Sequence, residues 1–334
     1  MKAWQIVSEG GVDALDLAEV ATPDPGPGTV RVRMEANAIN YRDLMTIQDP
    51  VARRLPYPRV PNSDGAGVVT AVGAGVTEVA VGDRVASCFF QDWEDGGCTP
   101  EAMASALGGA VDGVLAEEVI LRERGVIRVP SHLSSEQAAT LPCAALTAWH
   151  ALVEVGRVKA GDTVLLLGTG GVSIFALQFA MAMGARVILT SSSDEKLARA
   201  RTMGAAETIN YRATPDWENA VLELTGGRGV DLTVEVGGAG TLTKSLHATR
   251  VAGAVALIGV LTGGTVDPVL VMRKSIRLQG VYVGSRRMFA DMNRAIEHHR
   301  IAPVIDHSVG FDAAPDAYRA MQAAGHFGKI VIRV

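Results

Sequence analysis

Residues 163–171 read TVLLLGTGG, an apolar run of strand length followed by Gly168, Gly170 and Gly171. Lacking side chains, these glycines let the chain turn tightly and let a pyrophosphate approach the unpaired N–H groups of a helix N-terminus. Gly168, Gly170, Gly171 and the adjoining Val172 are therefore candidate cofactor-binding residues. The dinucleotide fingerprint asks for a third glycine at 173, where this chain carries Ser173, still small enough for close helix–strand packing. A Gly-x-Gly pair alone also describes a simple loop. The strand before it, and the helix and second strand after it, select the dinucleotide reading.

The end of that second strand bears on which dinucleotide binds. NAD-preferring sites place an acid about 20 residues after the turn, against the adenosine ribose. Here the place reads TSSSDEK, with Ser191 at the strand end and no carboxylate on it. The Ser191 and Ser192 hydroxyls can donate to a phosphate, and Lys196 adds positive charge. Asp194 and Glu195 suit the first turn of the next helix, where acids are favoured. This pattern points to NADP(H), with NAD(H) as the alternative. The competing reading of Ser191–Ser193 is a helix cap.

The surrounding elements carry the periodicity of two architectures. Up to about residue 128 the chain alternates short β runs with Gly- and Pro-rich turns, as in GTVRVRMEANAIN and GAGVVTAVGAGV, with no long helical period. A lead-in helix then opens a regular α/β pattern. Strands are expected at 163–167, 186–190, 207–211, 231–238 and 253–260, with helices at 171–183 and 194–205 and another from 216. This is the signature of a doubly wound parallel sheet. The expected division is 1–128 completed by 276–334, around a nucleotide-binding segment at 129–275.

Composition excludes several function classes. The 334 residues are 48% hydrophobic with formal net charge −5, and the mean hydropathy is +0.21. No basic patch suits nucleic acid or an anionic membrane, and no apolar run reaches spanning length. The N-terminus lacks the apolar run of a signal peptide. Three cysteines, Cys88, Cys98 and Cys143, make no disulfide framework and suit a reducing, cytoplasmic setting.

Over nearly its whole length the chain resembles the medium-chain dehydrogenase/reductases. The motifs are NAINYRDLMTIQ, PNSDGAGVVTAVGAGV, VGDRVA, LPCAALTAWHAL, GDTVLLLGTGGVS, INYR, GGRGVDLTVEVGG and HFGKIVIR. The resemblance implies a GroES-like, mainly β catalytic domain built from both chain ends around a Rossmann-type domain, with substrate held between them. It implies a homodimer joined through the nucleotide-binding domains. The nearest likeness is to zinc-independent quinone-oxidoreductase-like and alcohol-dehydrogenase-like members. Where zinc members place Cys, His and Cys, this chain has Asn40, Ser63 and Cys143, and an amide and a hydroxyl are poor zinc donors. The structural zinc lobe needs four close cysteines, and CFFQDWEDGGC supplies two. No metal is expected.

Without zinc, the developing charge on a substrate oxygen needs hydrogen-bond donors. Candidates are the Asn40 amide, the Tyr41 phenol and the Arg42 guanidinium; the alternative reading of NYRD is a structural turn. Thr147, Gly259 and Val260 match family positions beside the nicotinamide, and Lys196 and Tyr211 match 2′-phosphate contacts. Packing at a strand end is the alternative for Tyr211. Phe89, Phe90 and Trp93 lie in polar, Gly-rich surroundings that favour a loop flooring an apolar substrate site over a core strand. Three functions compete: an NADPH-dependent reductase of ketones, aldehydes, enones or quinones, an alcohol dehydrogenase working in the oxidative direction, and a nucleotide-binding sensor or structural protein without turnover.

Overall fold

The computed structural model describes residues 1–22 and 24–334. The chain forms two compact units, one of Met1–Leu146 with Val283–Val334 and one of Thr147–Tyr282.

The second unit holds six parallel strands in the order Glu207–Asn210, Arg186–Ser191, Thr163–Leu167, Val230–Glu235, Thr249–Leu257, Arg277–Gly280. Every residue of Thr163–Leu167 and Val230–Glu235 is buried, as expected for central strands covered on both faces. The winding reverses between those two strands. In such sheets ligands sit beyond the carboxyl ends of the strands at the reversal, here beside Leu167 and Glu235. The strand expected at 253–260 begins earlier, at Thr249, and ends at Leu257. The strand Arg277–Gly280 is exposed at all four residues, so it shows no apolar alternation in sequence.

The first unit is built on a seven-stranded sheet. Its long strand Thr29–Ala38 pairs antiparallel with Asp64–Val72 on one side and with Lys329–Arg333 on the other. Glu118–Arg122 pairs with its N-terminal half, and Ile305–Gly310 lies outside Lys329–Arg333. The last strands thus complete a sheet begun by the first.

On this sheet sits the helix Tyr41–Gln48, whose first turn is formed by the Tyr41, Arg42 and Asp43 of NYRD. Asn40 is its N-cap, and the Asp43 carboxylate accepts the Asn40 N–H at 2.9 Å, as in a capping box. Leu44 and Ile47, three apart and so on one face, pack with Ile39, Ile330, Ile332 and Tyr318. Burying each is worth roughly 1.5–3 kcal/mol. The helix stops at Asp49, ahead of Pro50. Phe89, Phe90 and Trp93 lie in a loop, as their surroundings suggest, and are interior, between 1% and 5% exposed. Phe90 meets its two neighbours edge-on at centroid distances of 4.7 and 5.6 Å. The polar Gln91 among them is buried because its amide donates to the Cys88 and Gly125 carbonyls, both at 2.9 Å.

Candidate active site

Two constellations emerge, one in each unit. In the second unit the chain leaves Leu167 into Gly168, whose φ of +73° is the left-handed region that side chains avoid. The Gly168 N–H donates to the Thr190 carbonyl at 2.8 Å, tying the turn to the next strand. Gly170 caps the helix Gly171–Ala182 without any side-chain cap bond. A Cβ added at Gly168 or Gly170 would meet no atom within 4 Å, so open space borders the turn at both glycines. Ser173 is buried and donates to the Leu167 carbonyl at 2.6 Å. The hydroxyl stitches helix to strand at the place a third glycine would occupy. Open glycines, an uncapped helix start and a tight strand exit together fit a pyrophosphate.

At the next strand end Ser191 is buried, and its Oγ accepts the Ser193 N–H at 3.3 Å. Ser193 caps the following helix by accepting the Lys196 N–H at 3.3 Å. The capping alternative therefore describes Ser193, which leaves the Ser192 hydroxyl outside the cap. Asp194 accepts from the Asn210 amide at 2.8 Å, which holds that carboxylate at the helix start. The Tyr211 N–H donates to the Ser191 carbonyl at 3.0 Å, and the Tyr211 side chain is exposed. Ser191, Ser192 and Tyr211 are thus neighbours on adjacent strand ends, with Lys196 one turn away.

Beyond Glu235 lies a feature that sequence reasoning missed. This glutamate is fully buried. Its Oε1 accepts the Gly237 and Gly238 N–H groups at 2.7 and 3.0 Å and the Thr241 hydroxyl at 2.7 Å; Oε2 accepts from Ser245. Its carbonyl accepts the Ile258 and Gly259 N–H groups at 2.8 and 2.9 Å. Gly259 lies so close to Val236 that a Cβ there would come within 2.2 Å of the Val236 carbonyl carbon. One residue therefore fixes both loops at this end of the sheet, leaving Val260 exposed at 64%. The signal available in sequence was an acid inside an apolar strand just before Gly237-Gly238. Thr147 is buried at the start of this unit.

The first unit gathers Asn40, Arg42, Asp43, Ser63, Asp64, Cys143 and Lys329. Lys329 is 2% exposed, and its ammonium donates to the Asn40 Oδ1 at 2.5 Å and the Ile39 carbonyl at 2.8 Å. Asp64 is fully buried; it accepts from the Ser63 hydroxyl at 2.6 Å and the Cys143 N–H at 3.1 Å, and its Oδ2 is 3.8 Å from the ammonium. Burial raises the Asp64 carboxyl to about 6, with Lys329 pulling it back and Asp43 adding to the rise. Burial, then the Asp64 charge, push the Cys143 thiol well above its ordinary value. Arg42 is a brace. Its guanidinium donates to the Leu107 carbonyl at 2.7 Å and Asp43 at 3.1 Å and lies 4.7 Å from the Phe89 ring centroid. Tyr41, by contrast, is 41% exposed on the first turn of its helix.

Comparison with known proteins adds to this geometry. Residues 26–131 match the family model of the alcohol dehydrogenase GroES-like domain and residues 171–298 that of the zinc-binding dehydrogenases. A zinc-type alcohol dehydrogenase-like protein of Schizosaccharomyces pombe is 41% identical over 333 residues, covering 97% of this chain and 96% of that protein. The chain belongs to the medium-chain dehydrogenase/reductase superfamily. A solved NAD-dependent alcohol dehydrogenase is similar over 100% of both chains, with a TM-score of 0.91 and 35% identity. A mycobacterial protein solved with NADPH is likewise similar over 100% of both chains, with a TM-score of 0.84 and 29% identity. This superfamily member is an NAD(P)-dependent oxidoreductase of α/β fold, a GroES-like domain joined to a parallel-sheet nucleotide-binding domain.

Proposed function

We propose that this chain is a zinc-independent, NADPH-preferring reductase of ketones, aldehydes, enones or quinones. The observation that carries the reading is the Lys329 ammonium bonded to Asn40 at 2.5 Å, where zinc members hold their metal. A divalent cation beside a buried ammonium is repelled. The nearby Asn40 and Ser63 offer a neutral amide and a hydroxyl in place of thiolate or imidazole. These residues do not fit a zinc centre. Among the described residues no group of three or more His, Cys, Asp or Glu side chains is placed to hold a metal.

When bound, the dihydronicotinamide supplies the hydride. The chain's share is position and charge. Gly168, Gly170, Gly171 and Val172 present amides to the pyrophosphate. Ser191, Ser192, Lys196 and Tyr211 hold the 2′-phosphate, and the placing of Ser191, Ser192 and Tyr211 at adjacent strand ends supports this. Thr147, Gly259 and Val260 border the nicotinamide. The Asn40 amide and the Tyr41 phenol donate hydrogen bonds to the substrate oxygen, and Tyr41 passes it a proton. Arg42 is bound to Leu107 and Asp43 and so holds the segment in place.

The relative's description as an NAD-dependent alcohol dehydrogenase favours a second reading, oxidation of an alcohol by the same residues. The homodimer is proposed to form along the edge strand Arg277–Gly280, which among the described residues is paired only on its Thr249–Leu257 side. No described helix is long and apolar enough to cross a membrane, and the three free cysteines suit a cytoplasmic setting.

Fluorescence titration of the metal-analysed protein with NADPH and with NADH tests the cofactor reading. Tighter NADPH binding by about tenfold, or about 1.4 kcal/mol, is expected, with substoichiometric zinc and turnover of p-benzoquinone or benzaldehyde unaffected by a chelator. Equal or tighter NADH binding removes the phosphate patch. Stoichiometric zinc removes the metal-free site.

A further inference from the structure

We propose that Lys329 is a positioning residue. Its ammonium fixes the Asn40 side-chain amide so that the Nδ2 hydrogens, rather than the Oδ1 lone pairs, face the reacting oxygen of the substrate. The inference rests on the reading of Asn40 as a hydrogen-bond donor and explains what makes it one.

An asparagine amide is nearly symmetric in shape, so its neighbours decide which end is which. An ammonium carries three donors and no lone pair. It can satisfy only the oxygen end of Asn40, and that is where it lies, at 2.5 Å. Turning the amide over would set N–H against N–H in a pocket where Asn40 is 8% exposed and Lys329 2%. Both partners are held from elsewhere. Asn40 is anchored as a helix N-cap through Asp43, and Lys329 begins a strand whose Ile330 and Ile332 are fully buried.

The other end of the amide is what the chemistry needs. The Asn40 Nδ2 is buried and, among the described residues, closes no well-formed hydrogen bond; what side-chain hydrogen bonding it has goes to the Asp64 carboxylate. It lies near enough to Asp64 to favour that carboxylate, so the negative charge on that side and the ammonium on the other impose the same orientation. With one Nδ2 hydrogen turned toward Asp64, the second is left for a substrate oxygen gaining negative charge. The rival account makes Lys329 only a counter-charge for Asp64. The distances oppose it, because the ammonium is 3.8 Å from the carboxylate but 2.5 and 2.8 Å from Asn40 and Ile39.

The test uses the full chain with NADPH and p-benzoquinone or benzaldehyde, together with the side-chain amide resonances of nitrogen-labelled protein, the Asn40 pair being assigned by its loss in Asn40→Ala. Lys329→Met keeps the apolar stem without donors, and Lys329→Arg keeps donors. Expected for Lys329→Met is a kcat loss on the order of tenfold, with the NADPH Kd changed less than about twofold and the Asn40 amide pair shifted or doubled. Lys329→Arg should recover most of the rate and the single pair. In the Asn40→Ala background Lys329→Met should cost nothing further. An unmoved amide pair in Lys329→Met overturns the proposal whatever the kinetics. So do losses that simply add in the double variant, or rescue of Lys329→Met by Asp64→Asn, which would mark a mere counter-charge. If Asn40→Ala itself leaves kcat unchanged, the donor reading of Asn40 falls first and the inference with it; if Asn40→Ala is slow but additive, only the inference falls.

Discussion

Asp64 and Tyr41 show how far one fold can push neighbouring side chains in different directions. Asp64 is fully buried, and its carboxyl is raised from an ordinary 3.8 to about 6. The folded state thus holds this proton more tightly than the unfolded chain does. The stabilisation is fully present below the ordinary carboxylate range and is lost as pH rises toward about 6, at a cost on the order of 3 kcal/mol. Urea unfolding at about pH 4 and about pH 7 should show wild type losing ground to Asp64→Asn across that window. Equal pH slopes in the two proteins would refute the assignment. Tyr41 is exposed and available to solvent and substrate. Tyr41→Phe should lower kcat on the order of a hundredfold, with nucleotide affinity nearly unchanged; an unchanged kcat removes Tyr41 from the mechanism. The residue types here were legible in NYRD and NSD, but their connections were not. Lys329 meets a partner 289 positions away, and Arg42 a carbonyl 65 positions away. A lysine heading the apolar run KIVIR reads from sequence as the solvated start of a strand. Only the pairing of distant strands turns it inward.

Elements carried more of their signal locally. The glycine turn was legible because strand, turn and helix follow one another within some twenty residues of sequence, and local periodicity suffices for that. Replacing Gly168 by Ala forces a side chain into φ +73°, at a cost of about 1–2 kcal/mol, and narrows the approach of a phosphate. NADPH affinity should fall more than stability does, as titration and thermal unfolding would show; a loss confined to stability would mean the turn serves the fold alone. Ser173→Ala strips the Leu167 carbonyl of its 2.6 Å hydroxyl bond, which should cost about 1 kcal/mol as read by urea unfolding. An unchanged midpoint would mean that the bond adds nothing net. What sequence could not supply was the depth of burial of Phe89, Phe90 and Trp93. Their polar company suggests a loop, yet Gln91 satisfies its amide on carbonyls from Cys88 and Gly125, and so the segment can be buried.

For the whole molecule, the edge strand Arg277–Gly280 has, among the described residues, one unpaired side and is exposed along its length. Gln279→Pro or Leu278→Lys should therefore shift a dimer toward monomer, with light scattering as the readout; an unchanged mass would place the dimer contact elsewhere. The placement of the final strands has another consequence. Thr147–Tyr282 contains every strand of its own sheet, whereas the sheet of the first unit includes Ile305–Gly310 and Lys329–Arg333. During synthesis, which proceeds from the N-terminus, the middle of the chain can finish folding while the segment that precedes it is still incomplete. Residues 29–128 must wait with an open strand edge until Lys329–Arg333 emerges. That same strand delivers the Lys329 ammonium to Asn40, so a strand made after the whole middle unit is also the one that completes the polar cluster.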